Sequence, residues 1–181
     1  MTDNHIDKIF SSQVEYANQL RQTDYKIRVK KIKSIIDWIY ENRTAIQKAL
    51  RDDFSKPEVE TDITETWVTI DMAQDIVKNL KRWMIPRRVP SSLPVMLSTS
   101  SIEYYPKGTC LIIAPWNYPF QLSVAPLLYS IAAGNCSVIK PSELTPNTSA
   151  LVSRMIGDLF DTKEVAVIEG GKETAKLLLD K

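Results

Sequence analysis

Three short apolar runs, each followed by a stretch with helical spacing, constrain the fold of this chain more than any other feature. The runs cover residues 109–114, 136–139 and 165–168. A continuous apolar run bounded by turn residues is typical of a parallel strand that is covered on both faces. Repeated strand–helix units are joined by right-handed crossovers. The pattern therefore predicts an α/β fold with a doubly wound parallel sheet.

The helices between and after these strands begin and end at recognisable residues. Pro119 is suited to open an almost wholly apolar helix, and Gly134 is suited to close it with a left-handed cap. Thr145 is predicted to cap the next helix, and Gly170 and Gly171 turn the chain into a last one.

Residues 1–85 are predicted to be helical. Between residues 24 and 54 apolar side chains recur every three or four positions, with a break near Asn42. Pro57 suits the first turn of another long helix, and Pro86 ends it. On that helix the residues with the spacing of a core face are Ile63, Trp67, Ile70, Val77, Leu80 and Met84.

The segment between the helices and the strands has no helical periodicity. Residues 87–94 include two prolines and are predicted to form an extended crossing loop. Residues 101–105 alternate weakly, which is typical of an exposed ribbon.

The charge balance gives no indication of a polyanionic partner. The chain has 23 basic and 22 acidic residues, and its net charge is +1. A basic cluster lacks interleaved aromatic residues and is interpreted as solvated surface; it consists of Lys81, Arg82, Arg87 and Arg88. We therefore predict no nucleic-acid partner, and the lack of about 18 consecutive apolar residues predicts no membrane span within this sequence.

Two cysteines, Cys110 and Cys136, fall in the predicted strands and have no metal-binding spacing. They are interpreted as small apolar side chains in a reduced core, with a disulfide or a reactive thiol as the alternatives. We predict no metal site. Because the N-terminal residues show no targeting pattern, we predict a cytoplasmic location.

Polar residues follow two of the strands, at the edge where parallel sheets bind ligands. Asn117 lies between prolines and aromatic residues, and an amide held rigidly there is a good donor to negative charge that develops on oxygen. The alternative is that Asn117 only caps the helix that Pro119 opens. Lys140 and Glu143 supply donors and acceptors that suit ribose hydroxyls, although an ion pair at a strand end explains them equally.

The positions of the glycines exclude the ordinary dinucleotide-binding fingerprint within this sequence. The chain has only five glycines and contains neither Gly-x-Gly-x-x-Gly nor a phosphate-binding loop. Gly170 is suited to a close approach between backbone and cofactor, although a tight turn explains it as well.

Taken in order along the chain, these motifs resemble those of the aldehyde dehydrogenase superfamily. The resemblance covers the whole chain and is carried by Ala114-Pro115-Trp116-Asn117-Tyr118-Pro119-Phe120, Ala132-Ala133-Gly134-Asn135 and Lys140-Pro141-Ser142-Glu143. The class 3 and fatty aldehyde branch is indicated by Lys56-Pro57, Asn79-Leu80-Lys81 and Glu169-Gly170-Gly171.

The resemblance implies oxidation of an aldehyde to a carboxylic acid, with NAD or NADP as cofactor. In that mechanism a Cys thiolate attacks the aldehyde, hydride passes to the nicotinamide, and a Glu assists hydrolysis of the thioester. Asn117 matches the oxyanion donor, and Lys140 and Glu143 match contacts to the adenosine ribose. The matches that line the cofactor cleft are Ile113, Ala114, Pro115, Trp116 and Gly170. Glu143 favours NAD, because a 2′-phosphate would meet like charge.

The resemblance also implies that this sequence is an N-terminal portion, since family members are more than twice as long and their catalytic Cys and Glu come later. Residues 1–97 would be the helical part of the cofactor-binding domain with its crossing loop, and residues 98–107 a strand of a bridging, oligomerising ribbon. Residues 108–181 would be an incomplete Rossmann-like NAD(P)-binding sheet, with the catalytic domain absent.

The chain alone is expected to be inactive, and the full-length form to be a homodimer. The alternatives are a non-catalytic nucleotide-binding or complementing subunit, and the product of a decayed reading frame.

Overall fold

The computed structural model describes residues 3–181. The helices are α1 (Asp3–Leu20), α2 (Tyr25–Glu41), α3 (Arg43–Phe54), α4 (Glu58–Thr61), α5 (Trp67–Trp83), α6 (Gln121–Ala133), α7 (Pro146–Leu159) and α8 (Lys172–Leu179). A π-helical turn, Asp62–Thr66, joins α4 to α5, and Leu93–Val95 form a 3₁₀ turn. The strands are β1 (Arg87–Val89), β2 (Ser100–Ile102), β3 (Thr109–Ile113), β4 (Cys136–Lys140) and β5 (Val165–Val167).

The predicted parallel sheet is confirmed, with the strand order β3-β4-β5. Thr109 pairs with Cys136 at one end of the β3–β4 ladder and Ile113 pairs with Lys140 at the other. β4 is buried along its whole length, as a strand covered on both faces should be. The same expectation is wrong for β3, which is only partly buried because it lies at an edge of the described sheet and ends in an exposed Ile113.

Helices cover both faces of the sheet, which confirms the doubly wound arrangement. Ile139 of β4 belongs to the large core that α2, α3, α5, α6 and α7 form on one face. Its neighbour Val138 packs on the opposite face with Ile6 and Ile9 of α1 and Leu178 of α8. Successive residues of a strand point to opposite faces, so β4 contributes to both cores.

The break predicted near Asn42 is confirmed, because α2 ends and α3 begins there. The core face predicted for the next long helix is partly wrong. Ile70 and Leu80 are buried, whereas Ile63 and Trp67 are 51% and 59% exposed. The π-helical turn adds a residue to one turn and so changes the direction of the side chains that precede α5. Polar residues face the interior there instead: Thr61, Asp62, Glu65 and Thr66.

The crossing segment is not wholly loop. β1 pairs antiparallel with β2, with Arg87 opposite Ile102 and Val89 opposite Ser100. Pro90 follows β1 directly and lacks an N–H, so the ladder cannot extend through it as a regular strand. The prediction of an extended crossing loop over residues 87–94 is therefore wrong for residues 87–89, which form a paired strand, and of the ribbon predicted at residues 101–105 only residues 101 and 102 lie in β2.

Two helix starts differ from the predictions. α6 begins at Gln121 rather than at Pro119. Thr145 precedes α7 but its side chain caps nothing; the Asp53 carboxylate of α3 accepts hydrogen bonds from the backbone N–H groups of Asn147 (3.0 Å) and Thr148 (2.8 Å). The N-terminal capping of α7 is therefore supplied by a distant helix.

The left-handed cap at Gly134 is confirmed, with φ at 87°. A Cβ atom at Gly134 would lie 2.6 Å from the guanidinium carbon of Arg28, whose Nη1 donates to the carbonyl of Ala132 at 3.0 Å. Gly134→Ala should therefore lower the free energy of unfolding by about 2 kcal/mol, through left-handed strain and displacement of Arg28. Urea unfolding measures this loss.

Gly157→Ala is the matched control, since Gly157 lies inside α7 and a Cβ atom there would meet, apart from the nearby backbone of α7, no other group within 4 Å. The control should stabilise the protein by up to about 1 kcal/mol. Equal effects of the two substitutions would contradict the account of Gly134.

Candidate cofactor site and active site

The residues predicted at the ends of β3 and β4 lie next to each other. The backbone N–H of Ala114 donates to the carbonyl of Lys140 at 3.0 Å, which extends the parallel ladder by one residue. Beyond it, Pro115 and Trp116 are exposed at the carboxyl edge of the sheet, as is Ile113 before it. The segment with Asn117 follows β3 and the segment with Glu143 follows β4. Because both segments leave the sheet at this edge, they border one common surface.

Asn117 is exposed, and its side chain has no hydrogen-bond partner within the part of the chain that the structure describes. The alternative that it caps the following helix is wrong. The N–H groups of Phe120, which directly precedes α6, and of Gln121, its first residue, donate to the Glu65 carboxylate instead. The Asn117 amide is therefore available to a ligand at the sheet edge.

Sequence reasoning did not assign Glu65 or Lys56 to this edge, and it used Lys56 only as part of the Lys56-Pro57 motif. Glu65 is 0% exposed, and its Oε1 lies 2.7 Å from Nζ of Lys56, which is itself buried. Burial raises the pKa of the Glu65 carboxyl, while the Gln121 N–H and the Lys56 ammonium act in the opposite direction. Position 65 shares a helix face with other polar residues, so the pattern contained no signal that this face turns inward.

Lys140 and Glu143 form the ion pair that the sequence left as an alternative. Nζ of Lys140 donates to Oε2 of Glu143 at 2.6 Å and to the carbonyl of Pro141 at 3.0 Å. The ammonium is buried, whereas the Glu143 side chain is about half exposed. The hydrogen bond from Lys140 lowers the pKa of Glu143, so this carboxylate is charged at neutral pH and keeps acceptor capacity toward solvent.

Glu143 and Gly170 line the same small cleft, which has a volume of about 190 Å³. Gly170 has φ of 153°, and a Cβ atom there would lie 2.2 Å from Oγ1 of Thr174. A Cβ on Gly171 would lie 3.8 Å from Oε1 of Glu143. Two glycines thus keep the loop after β5 free of side chains beside the Glu143 carboxylate.

A larger cavity of about 450 Å³ lies elsewhere, between α1 and the sheet. Its lining includes Phe10, Lys107 and Thr109 but none of the predicted site residues. Lys107 and Thr109 are at the amino end of β3, opposite the edge where parallel sheets bind ligands. The smaller cleft beside Glu143 is therefore the better candidate for part of a cofactor site.

Both cysteines are free, as predicted, with Cys136 buried and Cys110 partly buried. Within the described residues, no three His, Cys, Asp or Glu side chains are grouped closely enough to hold a metal ion. Among residues 3–181, no helix combines the length and apolar composition needed to cross a membrane.

Burial is the largest cause that raises the pKa of the Cys136 thiol from its ordinary 9.0 to about 11. Between pH 9 and pH 11 the folded chain keeps the Cys136 proton that the unfolded chain loses. The free energy of unfolding should therefore fall by about 2 kcal/mol as the pH rises from 9 to 11. Urea unfolding at pH 9 and pH 11 measures the change. Cys136→Ala should reduce this pH dependence, and a variant that keeps the full pH dependence would contradict the assignment.

A parallel sheet with helices on both faces, and with polar residues gathered at its carboxyl edge, places this protein in the class of Rossmann-like α/β folds. The model of the aldehyde dehydrogenase family matches residues 1–181. The chain therefore belongs to the aldehyde dehydrogenase family, as its motifs indicated.

Individual relatives agree with this assignment. Aldehyde dehydrogenase family 3 member H1 of Arabidopsis thaliana is 38% identical over 158 residues, which are 87% of this chain and 33% of that protein. The substrate-bound structure of Staphylococcus aureus AldH is 38% identical with a TM-score of 0.93, and the match covers 97% of this chain and 38% of that one. The chain thus spans less than two-fifths of the length of these relatives.

The fold extends to more distant structures. Succinic semialdehyde dehydrogenase of Streptococcus pyogenes, solved in complex with NADP⁺, has a TM-score of 0.88 at 12% identity. That match covers all of this chain and 39% of the other, and it shows the shared fold.

Proposed function

We propose that this chain is the N-terminal, cofactor-binding portion of an aldehyde dehydrogenase that oxidises an aldehyde to a carboxylic acid with NAD or NADP. The observation that carries the proposal is the hydrogen bond between Ala114 and Lys140, which joins the two motif-bearing strand ends. Asn117 would donate its amide to the oxygen of the aldehyde as negative charge develops there. Its exposed amide, free of other hydrogen bonds in the described residues, supports this role.

The residues beside the sheet edge fit a nicotinamide dinucleotide. The half-exposed Glu143 carboxylate would accept from ribose hydroxyls, and Lys140 would hold that carboxylate in place. Gly170 would leave room for the cofactor, while Ile113, Ala114, Pro115 and Trp116 would line its cleft. The bound cofactor would supply the hydride acceptor.

NAD is the proposed preference, because the negative charge of Glu143 would oppose a 2′-phosphate. Family membership supports the use of a nicotinamide cofactor in general. NADP is the second candidate for that cofactor, because the Streptococcus pyogenes enzyme with the same fold was solved in complex with NADP⁺.

We propose that the chain alone does not turn over aldehydes. Cys136 is enclosed in β4 and Cys110 lies within β3, so neither thiol is presented at the edge that carries Asn117. The protein is proposed to be cytoplasmic, which two free cysteines support. Residues 98–107 are proposed to take part in a ribbon that joins two subunits of a homodimer, and the paired β1 and β2 support a ribbon there.

The test is to tag the chromosomal gene at the start of this chain and to purify its product from native cells. Aldehyde-dependent reduction of NAD or NADP supports the proposal, whereas a pure product that reduces neither contradicts it. The intact mass distinguishes the alternatives. A product of 20.6 kDa without activity would favour a nucleotide-binding or complementing subunit.

A further inference from the structure

The Glu65 carboxylate holds the first turn of α6. Its Oε2 accepts hydrogen bonds from the backbone N–H groups of Phe120 at 3.1 Å and Gln121 at 2.9 Å. These groups belong to the start of the helix, where backbone donors have no partner within the helix itself. Glu65 reaches them from the π-helical turn, and no solvent contacts its side chain.

Lys56 extends this contact to the residue before Pro119. Its Nζ lies 2.7 Å from Oε1 of Glu65 and 4.5 Å from the centre of the Tyr118 ring. An ammonium at that distance from an aromatic ring is attracted to the ring electrostatically. The Lys56–Glu65 pair therefore contacts the chain on both sides of Pro119.

Asn117 immediately precedes these contacts and has no side-chain hydrogen bond of its own in the described part of the chain. Its position depends on how the neighbouring backbone is held. The ladder bond from Ala114 to Lys140 anchors the chain before it, and the contact of Lys56 with Tyr118 anchors the chain after it.

A buried ion pair is an energetically unfavourable way to satisfy the backbone N–H groups at the start of a helix. Removing two charges from water carries a desolvation penalty, and a local serine or aspartate satisfies a helix start without it. We propose that Glu65, held by Lys56, is a positioning residue that fixes the Asn117 amide for the oxyanion. This inference rests on the proposed function of Asn117.

The first test is Glu65→Gln in the native gene product. Glutamine has one carbonyl oxygen, which can face the α6 N–H groups or Lys56 but not both. We expect kcat for aldehyde oxidation to fall by about 10- to 100-fold through misplacement of Asn117. The KM for NAD should stay within about twofold, because Glu143 lies on a different loop. The control Glu60→Gln, at an exposed position, should leave both constants unchanged.

The second test repeats Glu65→Gln in an Asn117→Ala background. If Glu65 acts through Asn117, the second substitution should cost little once the amide is gone. A merely structural role predicts the same further fall in kcat in both backgrounds, and that result would overturn the proposal. So would an unchanged kcat in the single variant. All assays are run below the melting temperatures of the variants.

Amide hydrogen exchange on the native gene product supplies a readout that does not need turnover. Glu65→Gln should increase the exchange rates of the Phe120 and Gln121 amides at least tenfold, and Glu60→Gln should not. Unchanged exchange would overturn the proposed contact. Absence of turnover in the wild-type product would instead overturn the proposed function, so the two failures are distinguishable.

Discussion

Asn117→Ala is expected to lower kcat for aldehyde oxidation by about 10²- to 10³-fold, the usual effect of removing one donor to an oxyanion. The Asn117 side chain is exposed and makes no hydrogen bond within the described residues, so its loss should change folding stability little. The substitution therefore separates a role in the reaction from a role in the fold. Steady-state kinetics on the native gene product give kcat and KM, and urea unfolding gives the stability.

Asn79→Ala is the matched control, because the Asn79 amide is also exposed but bonds only to residues of its own helix. It should leave kcat unchanged. Turnover of Asn117→Ala equal to that of wild type would remove Asn117 from the reaction and with it the central assignment of the site. A fall in kcat accompanied by a large loss of stability would show that Asn117 serves the fold.

Phe120→Ala should lower the free energy of unfolding by about 3–5 kcal/mol, the usual cost of truncating a fully buried phenylalanine. Phe120 is 0% exposed and belongs to the core that α6 shares with α2 and α5. Its removal would leave a cavity directly behind the loop that carries Asn117. The shift of the urea midpoint measures the loss.

Phe54→Ala removes the same atoms from the end of α3, where the ring is partly exposed. This control should cost about 1 kcal/mol or less. A loss at Phe120 no larger than the loss at Phe54 would contradict the packing described for α6.

The parallel sheet could be predicted because its signals are local. The apolar runs, the break near Asn42 and the left-handed Gly134 each depend on neighbouring residues, and each was found where the sequence placed it. Parallel topology then required Asn117, Lys140 and Glu143 to leave the sheet at one edge. Their roles in the reaction stay predictions.

Other features could not be predicted, because their causes lie far away along the chain. Asp53 caps α7 across 94 positions, and Glu65 caps α6 across 55. The π-helical turn changes the register between Ile63 and α5, and Ile63 and Trp67 are both exposed although their spacing was that of a core face. A one-residue change of helical register has no signature in the apolar pattern.

Local residue chemistry was sufficient to predict the parallel strands and most of the helices in their order, since periodicity, prolines and glycines act over a few positions, and the quoted motifs indicated the family by resemblance. Only the tertiary structure decided which groups satisfy the ends of α6 and α7 and which charges are buried. Those outcomes depend on the partners that packing brings together. The burial of the Lys56–Glu65 pair beside Asn117 is the clearest case, because Lys56 and Glu65 reach the start of α6 only after the helical region has packed against the sheet.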